Sequence, residues 1–191
     1  MTKHVIYLHG FASSPKSIKA QQTAAFFKQQ GLEKFLSIPD LTLSPKAAIE
    51  HIEQLIEQIG IDHVAGFIGS SLGGYYAHFL AERHQKPAAL INPAIRPFDL
   101  LQDHVGQIDQ YHGQGKSLFK AQYLDELLAL RCQVSTPERY LVLLQTGDET
   151  LDYRQAFGHF QATSMYRGLG GNHSFEHFED FLPIIYRFLL G

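Results

Sequence analysis

Short runs of consecutive apolar residues alternate along this chain with longer segments in which apolar residues return every three or four positions. Residues 5–8 (Val-Ile-Tyr-Leu) form the first run and stop at His9-Gly10. A short run that is apolar on both sides suits a strand covered on both faces. Runs at 35–38, 64–69, 88–92, 140–145 and 163–167 predict five more strands. Between them lie helical signals. Ser14-Pro15 reads as a helix start, with serine as cap and proline at the first helical position, and the helix stops near Gly31. Ser44-Pro45 repeats the signal; Ala48, Ile52, Leu55, Ile56 and Ile59 follow at helical spacing, and Gly60 ends them. Helices are also predicted over about 71–84 and 153–160. At the end of the chain Phe178, Phe181, Leu182, Ile185, Phe188 and Leu189 share one face, and Pro183 is expected to kink or split that helix.

Strands alternating with helices predict an α/β fold: a three-layer sandwich with a mostly parallel six-stranded sheet between two layers of helices. The whole chain, 1–191, reads as a single domain. One connection is too long for an ordinary crossover. Residues 94–138 hold an amphipathic stretch at 118–130, read as helical, after the glycine-containing segment Tyr111-His-Gly-Gln-Gly-Lys116. An excursion of that length in a compact domain is expected to be a lid or a binding element.

Composition narrows the classes of function. Of 191 residues 45% are hydrophobic and 18% charged, which fits a packed globule rather than a disordered chain. The net charge is −3 and no basic run occurs, so neither a nucleic acid nor an anionic membrane surface is an expected partner. No apolar stretch is long enough to span a bilayer, and the run at 5–8 is too short for a signal-peptide core. Cys132, the single cysteine, cannot form an internal disulfide and is read as a small core residue. Together these give a cytoplasmic expectation.

The chemistry centres on Gly69-Ser70-Ser71-Leu72-Gly73, a G-x-S-x-G pentapeptide where a predicted strand meets a predicted helix. A nucleophile on so sharp a turn leaves no room for side chains two residues to either side, and glycine at both places removes the obstacle. Ser71 is therefore the candidate nucleophile; for Ser70 the flanking positions would be Ile68 and Leu72, which fail the pattern. Backbone N–H groups of Phe11, in the His9-Gly10-Phe11 turn, and of Leu72 are the candidate oxyanion hole. A serine needs a base and the base an orienting carboxylate, following in the order Ser, Asp, His. Three carboxylates, Asp148, Glu149 and Asp152, lie just after the fifth strand. Asp148, nearest the strand end, is the candidate acid; Asp152 is the alternative, or else a helix cap. Among 11 histidines, His173 lies in the glycine-rich loop 170–175 after the sixth strand, where the base is expected.

Two other motifs fail on chemistry. The segment Gly10 to Ser17 resembles a phosphate-binding loop, but Pro15 replaces its second glycine, removing an N–H and fixing φ. His173-Ser-Phe-Glu176-His177 fits H-x-x-E-H, but Glu179 and Asp180 are too near to supply an independent third metal ligand. No cofactor and no metal are therefore expected.

Taken together, the His9-to-Ser17 segment, Gly69 to Gly74, Asn92-Pro-Ala-Ile-Arg-Pro97, Thr146 to Glu149 with Leu151 to Arg154, and Gly170 to Phe175 resemble the bacterial YqiA-type esterases. The resemblance covers nearly the whole chain. It implies an α/β-hydrolase fold shortened at its N-terminus, esterase or thioesterase activity on a small-molecule substrate, and Ser71, Asp148 and His173 as the triad. In that fold the strand order 2-1-3-4-5-6 makes the first and third strands neighbours, bringing Phe11 and Ser71 together. The competing reading is a small-molecule-binding protein that kept the fold and lost catalysis.

Overall fold

The computed structural model describes residues 3–109 and 116–191. Its central sheet has six strands: β1 (His4–Leu8), β2 (Leu36–Ser37), β3 (Val64–Ser70), β4 (Ala88–Ile91), β7 (Tyr140–Gln145) and β8 (Ser164–Gly168). They run in the order β2-β1-β3-β4-β7-β8 and every pairing is parallel. Between β4 and β7 the chain forms a separate antiparallel pair, β5 (Gly106–Asp109) and β6 (Lys116–Phe119). The helices are α1 (Ile18–Gln29), α2 (Pro45–Ile59), α3 (Leu72–His84), α4 (Pro97–Leu100), α5 (Gln122–Ala129), α6 (Tyr153–His159) and α7 (Leu182–Leu190).

The pleat sorts the core into two halves. Ile6, Leu8, Val142 and Leu144 face the side covered by α2, α3, α5 and α6, where Ile52, Tyr76, Leu80 and Leu127 meet them. Val5, Tyr7, Leu141 and Leu143 face the other side, packed by Phe27 of α1 and by Ile185 and Leu189 of α7. Successive side chains of a strand point to opposite faces, so an apolar run fills both layers at once. Burying each such side chain fully contributes roughly 1.5–3 kcal/mol.

Several boundaries differ from the sequence reading. Helix α1 starts at Ile18, capped at Ser17, not at Ser14-Pro15. The Ser14 hydroxyl and carbonyl instead accept the N–H groups of Lys16 (3.1 Å) and Ser17 (3.0 Å), which closes a turn first. At Ser44-Pro45 the same sequence signal does open the helix, the Ser44 hydroxyl accepting the Ala47 N–H at 3.2 Å. The stretch 118–130 is not one helix: Leu118 and Phe119 belong to β6, and α5 begins only at Gln122. Of the segment 111–116, residues 111–115 lie outside the described residues. Pro183 sits in the first turn of α7, after a 3₁₀ turn at Phe178–Phe181, so the terminal apolar stretch is split just before it. Cys132 is half-buried, not a core residue, and burial pushes its thiol up to about 12.

Candidate active site

The C-terminal ends of β1, β3, β4 and β7 open onto one edge of the sheet. At the end of β3 the chain turns sharply into α3 through Ser71, whose φ of 57° and ψ of −120° are a conformation that side chains other than glycine rarely adopt. The glycines of the pentapeptide make that turn possible. A Cβ on Gly69 would come within 2.3 Å of the Gly73 carbonyl oxygen, and one on Gly73 within 2.1 Å of the Leu8 carbonyl oxygen. The Ser71 N–H donates to Ile91 O (3.0 Å), and the Ser71 carbonyl accepts the N–H groups of Gly74 (2.9 Å) and Ala94 (3.1 Å). The elbow is thereby tied to β4 and to the start of its own helix. Ser70, by contrast, is buried within β3.

Beside the elbow lies the turn after β1. A Cβ built on Gly10 would sit 3.4 Å from the Ser71 Cβ, so His9-Gly10-Phe11 abuts the serine. Among the described residues neither the Phe11 nor the Leu72 N–H makes a hydrogen bond. Buried His9 braces the turn: its Nε2 accepts the Leu41 N–H (3.0 Å), so its Nδ1 carries the proton and donates to Gly10 O (3.0 Å). That tautomer commits both nitrogens to the scaffold, and Asp40 lies 3.6 Å away as a neighbour rather than as a charged partner.

His173 arrives from the loop after β8. Its Nε2 lies 3.1 Å from Ser71 Oγ, and its Nδ1 lies 2.8 Å and 3.0 Å from the two carboxylate oxygens of Asp148. Nδ1–H donates to the carboxylate, leaving the Nε2 lone pair for the hydroxyl. The Asp148 side chain is 2% exposed and that of His173 24%. Asp148 Oδ1 also accepts the N–H groups of Thr150 (2.9 Å) and Leu151 (2.7 Å), which fixes the carboxylate at the start of its turn. The three side chains singled out in the sequence are thus in one hydrogen-bonded line.

The other carboxylates have different duties. Asp152 caps α6, accepting the Arg154 N–H at 3.0 Å. Glu149 accepts the His173 N–H at 2.9 Å, and that hydrogen bond holds its carboxyl below the usual range. His177 is left-handed and Glu176 accepts from the Asn172 amide, so H-x-x-E-H does not lie on one helical face. His78, the other deeply buried histidine, is engaged elsewhere. Its Nδ1 donates to the Tyr140 hydroxyl (3.0 Å), which donates to Glu82, and His159 closes the chain at 3.1 Å. Burial first, then His159, pulls His78 down to about 4.

Several polar residues around His173 were given no role in the sequence, Asn92 among them although it heads one of the segments that carry the resemblance. Asn92 caps the sheet end, accepting the Gln145 N–H through Oδ1 (3.0 Å) and donating to Asn172 O (3.1 Å). Gln145 holds the loop through its own side chain. Lys19 on α1 donates to Ser174 O at 2.9 Å; burial pulls its ammonium down to about 8, against the opposing attraction of Asp148. The available signal was the polar residue ending each otherwise apolar strand, Asn92 just after β4 and Gln145 at the end of β7.

A six-stranded parallel sheet in this order, with a serine elbow after its third strand, is the α/β-hydrolase fold. Solved structures bear out the fold. A candidate hydrolase from Agrobacterium vitis S4 superposes with a TM-score of 0.76 over 100% of this chain and 88% of its own, at 16% identity. Est1E from Butyrivibrio proteoclasticus, solved with ferulic acid, gives 0.68 over 97% and 87%, at 17% identity. The esterase domain of a Rhodothermus marinus protein gives 0.61 over 96% and 82%, at 19% identity. Within that class the chain belongs to the Uncharacterised protein family UPF0227, the YqiA family, whose model matches residues 4–190. A UPF0227 protein of Shewanella woodyi (strain ATCC 51908 / MS32) is 29% identical over 156 residues, 78% of this chain and 77% of the relative.

Proposed function

We propose that this protein is a serine hydrolase that cleaves carboxylic esters or acyl thioesters through an acyl-enzyme. The observation that carries the reading is the continuous line from Ser71 Oγ through His173 to the buried Asp148 carboxylate, starting on a strained elbow. Strain of this kind costs on the order of 1–3 kcal/mol and persists where its surroundings over-determine it. Similarity in fold to the esterase domain of the Rhodothermus marinus protein supports the same class.

In the first step Ser71 Oγ attacks the substrate carbonyl carbon while His173 Nε2 takes its proton. Asp148 holds the imidazole in its tautomer and offsets the charge it gains. The carbonyl oxygen becomes an oxyanion held by the Phe11 and Leu72 N–H groups. Each such donor is worth roughly 10²–10³-fold in rate. Collapse expels the alcohol or thiol, which receives the proton from His173. Water then repeats the cycle on the acyl-Ser71 ester, using the same base, and releases the acid and free Ser71.

The excursion 94–138 is the proposed cap of the acyl site. Its His104 and Phe119 pack edge-on against the Phe11 ring, with centroids 5.6 Å and 5.2 Å away. An aromatic wall beside the oxyanion turn suits an apolar acyl group. Among the described residues no helix is long and apolar enough to cross a membrane, and the half-buried lone thiol fits a cytoplasmic setting. A screen of chromogenic esters and acyl thioesters, run on wild type beside Ser71→Ala, tests the reading. Hydrolysis by wild type and its loss in a folded Ser71→Ala variant are expected. Unchanged turnover in the variant removes Ser71 from the chemistry. Failure of wild type to react with a fluorophosphonate probe moves the protein to the non-catalytic binding class.

A further inference from the structure

The loop carrying His173 closes on itself through two hydrogen bonds, Phe175 N–H to Asn172 O (3.0 Å) and Asn172 Nδ2 to the Glu176 carboxylate (3.0 Å), and is otherwise held from outside. It opens on Gly170 and Gly171, both left-handed with φ of 74° and 72°, and Phe175 is left-handed as well. Only the Phe175 and Phe178 rings anchor it in the apolar core. Its backbone is held mostly by side chains from elsewhere, and one of them reaches both sides of the histidine. Gln145, buried at the end of β7, accepts through Oε1 the N–H groups of Asn172 (3.1 Å) and Glu176 (2.9 Å) and donates through Nε2 to Glu176 O (2.9 Å). Two N–H donors face the oxygen and one carbonyl faces the nitrogen, so the amide has only one satisfactory orientation.

We infer that Gln145 is the positioning residue of the relay: its side-chain amide clasps the loop on either side of His173 and thereby sets the distance from His173 Nε2 to Ser71 Oγ. The inference rests on the proposed role of His173 as base. Three further features support it. Asn92 Oδ1 receives the backbone N–H of Gln145, so the clasp is rigidly mounted on the sheet. A Cβ on Gly171 would lie 2.1 Å from Gln145 Oε1, so the loop approaches as closely as a glycine permits. The other restraints lie on one side of the loop or at its middle: Asn92 Nδ2 donates to Asn172 O (3.1 Å) and, at 3.5 Å, to His173 O, Glu149 accepts the His173 N–H from an exposed position, and Lys19 donates to Ser174 O. Among the described braces from outside the loop, Gln145 is the one that reaches residues on both sides of His173. Removing its polar atoms leaves two N–H groups and a carbonyl of the loop without partners, and a displacement of about 1 Å at the base is enough for a 10²-fold loss.

The test compares full-length wild type, Gln145→Met, Gln145→Glu and Ser71→Ala. Each is assayed for kcat and KM on a chromogenic ester and for amide hydrogen exchange in the loop and the sheet. In Gln145→Met, kcat should fall about 10–100-fold with KM changed less than about threefold. Exchange at Asn172 and Glu176 should quicken at least about tenfold while β3 and β4 amides keep their protection. Gln145→Glu retains both acceptor contacts but turns a carboxylate oxygen towards the Glu176 carbonyl, so its loop protection and kcat should fall between those of Gln145→Met and wild type. It also carries the test if the methionine variant does not fold. The inference is overturned if Gln145→Met keeps kcat within about twofold, if kcat falls with loop exchange unchanged, or if exchange rises equally across the sheet. Full turnover by Ser71→Ala defeats the proposed function instead, and the exchange data then still decide whether Gln145 holds the loop.

Discussion

The proposed nucleophile, Ser71, and its proposed base, His173, are held by opposite means. The Ser71 elbow is set by exclusion: backbone presses on backbone at Gly69 and Gly73, and the turn is rigid because nothing bulkier fits. The His173 loop is set by attachment: side chains of Asn92, Gln145, Glu149 and Lys19 tie down a backbone that two left-handed glycines would leave loose. Exclusion cannot be removed without removing the fold. Attachment can be loosened one bond at a time. Rate and stability should therefore respond separately in the loop and together in the elbow.

Asp148→Asn sharpens the contrast most. It should lower kcat about 10⁴-fold by disturbing the imidazole tautomer, with the unfolding midpoint little changed. Urea titration beside the ester assay reads both, and a parallel collapse of stability would blur the distinction. Gly73→Ala should do the reverse. With a Cβ 2.1 Å from the Leu8 carbonyl oxygen, it should cost on the order of 3 kcal/mol or more of stability and take activity with it; an unaltered urea midpoint would break the comparison.

His78, remote from both regions, gives a control in pH. Burial keeps it neutral in the folded protein down to about 4, against 6.5 for the ordinary side chain. Between those values the unfolded chain binds a proton that the folded one refuses. Stability should thus fall as pH drops from 6.5 to 4, by up to roughly 3 kcal/mol at 1.36 kcal/mol per pH unit. His78→Gln should flatten that slope in urea titrations across the window; an equally steep slope would assign the acid sensitivity to other groups. The smallest effect belongs to Asp152→Asn. One good helix cap replaces another, so kcat and midpoint should move by less than about 0.5 kcal/mol. A large loss of kcat would transfer the acid's role from Asp148.

What could be read in the sequence follows from the same contrast. The glycines that exclusion demands flank the serine, so Gly69, Ser71 and Gly73 announced themselves within five residues even though Gly73 presses on the distant Leu8 carbonyl. The four central strands, β1, β3, β4 and β7, were equally legible, because burial on both faces demands unbroken apolar runs. Attachment joins residues far apart: Gln145 meets Asn172 across 27 positions and Lys19 meets Ser174 across 155, and neither pairing has a local pattern. The misread boundaries have their own causes. Ser14 closes a turn with the side chain and backbone that a cap would use, so a cap signal can precede a helix by three residues. Leu118 and Phe119 adjoin the amphipathic α5, and two apolar residues fit either period until β5 supplies a partner strand.

Strand β8, from which the histidine loop departs, is the last in the sheet and bonds to β7 alone, with its side chains largely exposed. The serine rests on β3, at the centre and wholly buried. Peripheral strands open and reclose more often than central ones. Mild denaturant should accordingly abolish the proposed hydrolysis before circular dichroism reports any loss of helix, because detaching one marginal ribbon carries the imidazole away while the rest of the domain stays closed.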